Sequence, residues 1–520
     1  MHGAELMLGL LIAVAALVTI ARRIGVAYPV FLVVGGLALG LVPGVPRIEI
    51  DPDVIFLIVL PPLLYIAAYF TPIRSLRENV TTISSLAVGL VVASACAVAA
   101  VAHALVPGMP WSVAMVLGAI VAPPDAIAAI AITRPLAVGR QIVTILEGES
   151  LLNDATALTM YVIALAVAGG RTFSAGSTAL TFAEAIVGGC VIGVVVGWIV
   201  AHIRARLEDT PVEMTISLLT PYAAFLPADR LDTSGVIATV AAGLYLGQRG
   251  SHIMGAAARL TGRALWDTLT FLLNGFVFIV MGLEVPLLFR TLTPAVAIWL
   301  VGVGIAVTAV LVVVRALWIF ATVFLPSARR DRRDALACSL ILAWAGMRGV
   351  VSLAAALALP MTLPGGSSFP ARDTLIVVTL TVIVLTLLGQ GLTLPWLIRA
   401  LGLGRDTGLR EEEARARQRL LEAAGRRIDE LYPVWPGHHP LLDQLRETYR
   451  HRSEHVERQR DASAGAEEDR ELIEHREIRR TVRDAEREAL LRLRTEGEVD
   501  DSVLRDLERE LDLEERRMDA

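Results

Sequence analysis

Up to Leu401 the chain alternates long apolar runs with short polar connections, a spacing that matches membrane helices rather than the half-buried elements of a soluble domain. Thirteen runs can be drawn, at 4–21, 26–42, 53–70, 82–106, 111–132, 141–168, 179–203, 211–226, 233–247, 264–288, 294–325, 335–361 and 374–401. Most reach the roughly 20 residues that a helix needs to cross about 30 Å of hydrocarbon. The pattern predicts an all-α polytopic membrane protein with about 13 transmembrane helices. The eighth and ninth runs are short, which predicts tilted or interfacial helices. Glu5 stands at the start of the first run while Arg22 and Arg23 follow it. That reverses the charge order of a secretory signal, so the run is read as a span.

After Leu401 the pattern changes completely. Of the 99 charged residues, 43 fall in 1–402 and 56 in 403–520, and the overall charge of -5 conceals +3 in the body and -8 in the tail. The chain therefore reads as a transmembrane domain, 1–402, followed by a helical cytosolic C-terminal tail, 403–520. Segments such as EEEARARQRLLEAAGRRIDEL and EEDRELIEHREIRRTVRDAEREALLRLR carry Glu/Arg pairs at helical spacing, and YPVWPGHHP separates the two blocks. His438 and His439 have no thiol beside them and are not read as a metal site. Neither part has the basic excess of a nucleic-acid binder. All 47 basic residues are Arg, pointing to the codon usage of a GC-rich bacterium. Cys96, Cys190 and Cys338 lie in apolar stretches without CxxC spacing, so neither a disulfide frame nor a zinc site is expected.

Arginine placement orients the body independently of hydropathy, because cytoplasmic loops carry the positive excess. Thirteen crossings with the N-terminus outside put Arg22, Arg23, Arg74, Arg77, Arg134, Arg140, Arg204, Arg206, Arg249, Arg259, Arg263, Arg329, Arg330, Arg332 and Arg333 inside. Only Arg47, Arg171, Arg230, Arg290 and Arg372 fall outside. The expectation is a multi-pass protein of the bacterial plasma membrane with a cytoplasmic C-terminus. An odd number of crossings also allows two groups of six, joined by the seventh, to form inverted repeats in which the fifth run corresponds to the twelfth.

Within a bilayer each ionisable side chain is costly unless it is paired or faces a wet cavity. Four stand out: Asp125 in VAPPDAIAAIAI, Glu149 and Asp154 in EGESLLNDATAL, and Arg348 in WAGMRGVVSLAAALALP. Counted from the nearest cytoplasmic arginine at 1.5 Å per residue, Asp125 lies about 14 Å deep, Asp154 about 21 Å and Arg348 about 22 Å. All three fall near the middle of the membrane, as one shared site requires. Ser150 and Asp154 are four residues apart and so stack on one helix face, a start on the oxygen ligands of a small hard cation. Pro123 and Pro124 remove two backbone donors in mid-run, which predicts a broken helix. Such breaks line cavities, and their freed carbonyls coordinate coupling ions. Arg348 is read as the one strongly basic group buried among these acids. It is expected to pair with a carboxylate, Glu149 in preference to Asp125, leaving Asp154 free to titrate.

VAPPDAIAA, EGESLLNDATAL, FLLNGFVFIVMGLEV, GMRGVVSLAAALALP and GQGLTLP together resemble the monovalent cation/proton antiporters, in particular the electroneutral sodium/proton exchangers of the Asn-Asp branch. The resemblance covers all thirteen runs. It implies secondary active exchange of Na+ for H+ with no cofactor, with Li+ or K+ as alternative cations. It also implies a homodimer in the lipid bilayer, each protomer having a dimerisation domain and a mobile core in which the fifth and twelfth helices are broken and cross. By this resemblance Asp154 binds Na+ and H+ in turn, Ser150 and Asp125 are further ion ligands, Glu149 pairs with Arg348, and Asn153 stabilises the core. One departure concerns Pro124, where much of the family has Thr: a backbone carbonyl is retained there and a hydroxyl is lost. An intramembrane aspartyl protease would not need Arg348 or the proline pair, and a channel filter is built from repeated rings of ligands, not a carboxylate cluster with one arginine.

Overall fold

The computed structural model describes residues 2–24, 28–42, 55–133, 136, 138–171, 175–207, 209–289, 292–327, 332–363, 368–402, 407–460 and five scattered positions between 481 and 492. Among the described residues there is no strand, only an isolated bridge between Thr362 and Ser368. The chain divides into two compact units, Met1–Arg405 and Asp406–Ala520.

In the first unit each apolar run meets a helix or a pair of half-helices. These are α1 (His2–Ile24), α2 (Tyr28–Leu41), α3 (Leu60–Phe70), α4 (Val80–Leu105), α5 (Trp111–Val121), α6 (Ala126–Thr133), α7 (Arg140–Ala168) and α8 (Ala175–Arg204). They continue as α9 (Thr210–Arg230), α10 (Gly235–Ile253), α11 (Ala256–Phe289), α12 (Pro294–Phe324), α13 (Arg332–Trp344), α14 (Val350–Leu357) and α15 (Arg372–Leu401). Six helices among the described residues are long and apolar enough to cross a membrane. Arg47, Arg134, Arg290, Arg329 and Arg330, used above to orient the chain, lie outside the described residues.

The eighth and ninth runs are longer than hydropathy alone predicts, since α9 has 21 residues and α10 has 19. Asp209 accepts from the Val212 amide and Ser234 from the Ile237 amide, so each helix starts on a side-chain cap. Polar residues that lower the hydropathy of α9 are buried and mostly bonded. Ser217 accepts from Trp266 Nε1, Thr220 bonds the Ile216 carbonyl, and Glu213 faces Arg204 at 3.9 Å.

Lipid tails are as apolar as leucine, so helices in a bilayer associate through close packing at small residues more than through burial of apolar area. Here α10 packs against both α3 and α8. A Cβ at Gly193 would run into the Ala238 carbonyl, and one at Gly247 into the Tyr69 carbonyl. Those three helices therefore meet backbone to backbone. A second set, α4, α5, α7, α12 and α15, shares the largest buried apolar cluster with the half-helices α6, α13 and α14 that flank the two helix breaks.

The second unit contains α16 (Thr407–Leu431) and α17 (His439–Arg460), which fold back on one another as a hairpin. Ile428 and Leu442 are buried, Arg446 pairs with Asp429, and His439 stacks on Tyr432 with ring centroids 4.1 Å apart. The second charged block of the tail lies almost entirely outside the described residues.

Candidate functional site

Helix α5 ends at Val121 because Pro123 and Pro124 follow: neither has an N–H to donate, and each disfavours helical geometry in the residue before it. α6 resumes at Ala126. α13 ends at Trp344 and α14 begins at Val350, leaving Ala345 to Gly349 unwound. The two unwound stretches touch. The Asp125 amide donates to the Met347 carbonyl at 2.7 Å, and the Val350 amide donates to Asp125 Oδ2 at 3.3 Å.

A break in mid-helix creates ends whose backbone groups have lost their partners, with partial negative charge at each new C-terminus and partial positive charge at each new N-terminus. Arg348 answers the first. Its Nε donates to the Val121 carbonyl at 3.0 Å and its Nη2 to that of Ala122 at 3.3 Å, both at the end of α5. Its Nη1 reaches the Gly346 carbonyl just beyond α13. Asp125 answers the second by accepting from the first amide of α14. A side chain of each sign thus neutralises helix ends of the opposite sign.

This arrangement corrects the expected pairing of Glu149 with Arg348. Glu149 is held instead by Arg315, whose Nη1 and Nη2 reach Oε1 and Oε2 at 2.5 and 2.9 Å, while Arg315 Nε donates to the Leu342 carbonyl at 3.0 Å. Both partners are 1% exposed. A guanidinium can be satisfied by carbonyls at helix ends as well as by a carboxylate, and Arg348 takes that option. Arg315 carries a signal as plain as that of Arg348, a lone arginine within the apolar stretch VLVVVRALWIF, and the reading of buried charges passed over it.

Asp125, Ser150, Asp154 and Pro124 come together around a cavity of about 490 Å³. Ser150 and Asp154 reach it from one face of α7, one turn apart, as their spacing requires. Asn153 lies behind them, fully buried, and its Nδ2 donates to the Pro124 carbonyl at 2.9 Å, tying α7 to the break. Proline at 124 thus keeps its carbonyl in use. Asp154 makes no ion pair among the described residues. The exposed Arg22 and Asp267 also line the cavity, marking its open end. Asn274 and Ser352, which the sequence reading did not select, stand in its wall.

Gly349 lies against the Asp125 side chain, and a Cβ there would overlap the carboxylate. Gly349→Ala should therefore displace Asp125 and cost about 1–3 kcal/mol as local overpacking. The expected results are a lower Tm in detergent and weaker cation-driven proton movement. Wild-type values in both assays would mean that the carboxylate does not rest against residue 349.

Residues 9–400 match the transmembrane sodium/hydrogen exchanger family. The chain belongs to that family. Over 534 aligned residues it is 36% identical to an uncharacterized Na(+)/H(+) exchanger of Mycobacterium tuberculosis, covering 99% of this chain and 96% of that one. It is 32% identical over 402 residues to a Na(+)/H(+) antiporter of Aphanothece halophytica, covering 76% of this chain and 74% of the relative. The same fold is found in the sodium proton antiporter MjNhaP1 of Methanocaldococcus jannaschii, at a TM-score of 0.61 and 18% identity over 78% of this chain and 99% of that one. This exchanger-family chain is thus a multi-pass membrane transporter, and the cavity beside its two helix breaks is the candidate functional site.

Proposed function

We propose that this protein exchanges Na+ for H+ across the bacterial plasma membrane, one for one, with the two ions competing for Asp154. One observation carries the reading: the charged side chains at the two helix breaks and Glu149 each have a partner of opposite sign, whereas Asp154, buried in the cavity wall, makes no ion pair among the described residues. Glu149 and Arg315 cancel each other, Arg348 is balanced by helix C-terminal carbonyls, and Asp125 by the first amide of α14. A carboxylate in that setting needs a cation, and either a proton or a metal ion serves. Both cannot bind it at once, so a rise in one ion expels the other and the two gradients become coupled. Asp125 and Ser150 add oxygens from two sides, in keeping with hard-cation coordination.

The competition also fixes the charge that crosses. If Asp125 stays ionised against its amide partner, Asp154 with Na+ and Asp154 with H+ carry the same net charge, and the cycle is electroneutral. Thirteen crossings with the N-terminus outside would place Arg22, at the open end of the cavity, on the cytosolic side, so the structure would represent a protein open to the cytosol. A homodimer with a cytosolic tail completes the proposal.

Exchange is tested by dequenching of a pH-sensitive dye in everted membrane vesicles on addition of NaCl, LiCl or KCl between pH 6 and 9. Na+ is expected to release the accumulated protons, and an unchanged signal with all three salts would refute antiport. In sealed proteoliposomes the turnover rate should not respond to a valinomycin-clamped potential. A rate that climbs steeply with voltage would require a second titrating group, and Asp125, which shares the cavity, is the first candidate.

A further inference from the structure

Two buried side chains in the cavity wall have polar atoms with no hydrogen-bond partner among the described residues. Asn274, in α11, is 1% exposed, and neither its Oδ1 nor its Nδ2 has a hydrogen-bond partner. Ser352, in the first turn of α14, is 1% exposed with an unpartnered Oγ. An amide or hydroxyl left unpaired away from water costs several kcal/mol, so such groups normally find a partner. Hydroxyls on other helical turns find one in the carbonyl one turn back, as Thr268 in α11 does with Ala264 and Thr156 in α7 with Leu152. Ser352 has no helical carbonyl behind it, because the residue four before it is the unwound Arg348. Helices α11 and α14 pack against each other, and both residues line the cavity that Asp154 and Asp125 share.

We propose that the Asn274 carboxamide oxygen and the Ser352 hydroxyl bind the monovalent cation, directly or through one retained water, as it moves between the open end of the cavity and Asp154, and that this pair sets the order of preference among Li+, Na+ and K+. The inference rests on the antiport reading above and adds to it the residues that choose the ion. The field of a carboxylate rises steeply as the ion shrinks and so favours Li+ and Na+. Neutral oxygens have a weaker field and contribute relatively more for K+, which is cheaper to dehydrate. Removing them leaves selection to the carboxylates alone.

The test compares wild type with Asn274→Leu and Ser352→Ala in proteoliposomes, measuring KM for Li+, Na+ and K+ together with Tm. Loss of one ligand to a charged species should raise KM for Na+ roughly tenfold. KM for K+ should rise more and that for Li+ less, while Tm stays unchanged or increases, since an unpaired amide contributes nothing to stability. Asn274→Ser is carried alongside, so that a folding failure of the leucine variant still leaves a readable substitution at this position. Unchanged KM values and an unchanged order of preference in the folded variants would overturn the proposal. If wild-type protein moves no protons with any of the three cations, the antiport reading itself fails and this inference falls with it.

Discussion

Asp154→Asn is expected to insert and fold like wild type yet show no cation-driven proton movement above the background of empty vesicles. Asparagine matches aspartate in size and keeps an oxygen towards the cavity, but it can neither release a proton nor supply the negative charge for which Na+ and H+ compete. The loss should be complete at every pH, since no shift in conditions restores a titratable group. A partial loss that recovered at high Na+ would describe a weakened ligand. Dye dequenching near wild type would remove the central residue of the mechanism.

The second large effect belongs to a pair that takes no part in binding. Glu149→Leu and Arg315→Met should each destabilise the protein by about 3–5 kcal/mol, because each leaves a buried charge facing a partner that no longer answers it. The double replacement, Glu149→Leu with Arg315→Met, should recover most of that loss, since two apolar side chains can occupy the space of a buried ion pair at little cost. Thermal unfolding of the two singles and the double forms a mutant cycle, and a strong coupling energy is expected. The same cycle between Glu149 and Arg348 should show little coupling, because Arg348 is bound to backbone carbonyls. Additive losses for Glu149 and Arg315, with coupling to Arg348, would restore the pairing that the sequence had suggested.

How far the sequence reached depends on what each residue's chemistry leaves undecided. The membrane character, the helices and the break at Pro123–Pro124 follow from hydropathy and from donors that proline lacks, and those are local properties. The stacking of Ser150 on Asp154 follows from helical spacing. The second break, at Ala345 to Gly349, contains no proline; only the family resemblance implied it, and what holds it unwound is apparent once Arg348 is seen binding carbonyls of another helix. The partner of Glu149 was likewise hidden, because two arginines, Arg315 and Arg348, lie in apolar stretches far apart in sequence and nothing local says which one meets the acid. Asn274 was overlooked for a different reason. A neutral amide within a helix of strong hydropathy hardly alters the average, and its isolation becomes visible only when every neighbouring donor and acceptor has been placed.

The proline pair has a bearing on the timing of transport. A helix interrupted by glycine or by a side-chain contact can rewind when its surroundings change, and a transporter built that way would melt and re-form a turn at the bilayer centre in each cycle. Here Pro123 and Pro124 have no amide hydrogens with which to rewind, and the Pro124 carbonyl is already committed to Asn153. The oxygens at this break are thus set in place when the chain folds. On the exchange reading proposed above, assembling them adds nothing to the barrier of a turnover.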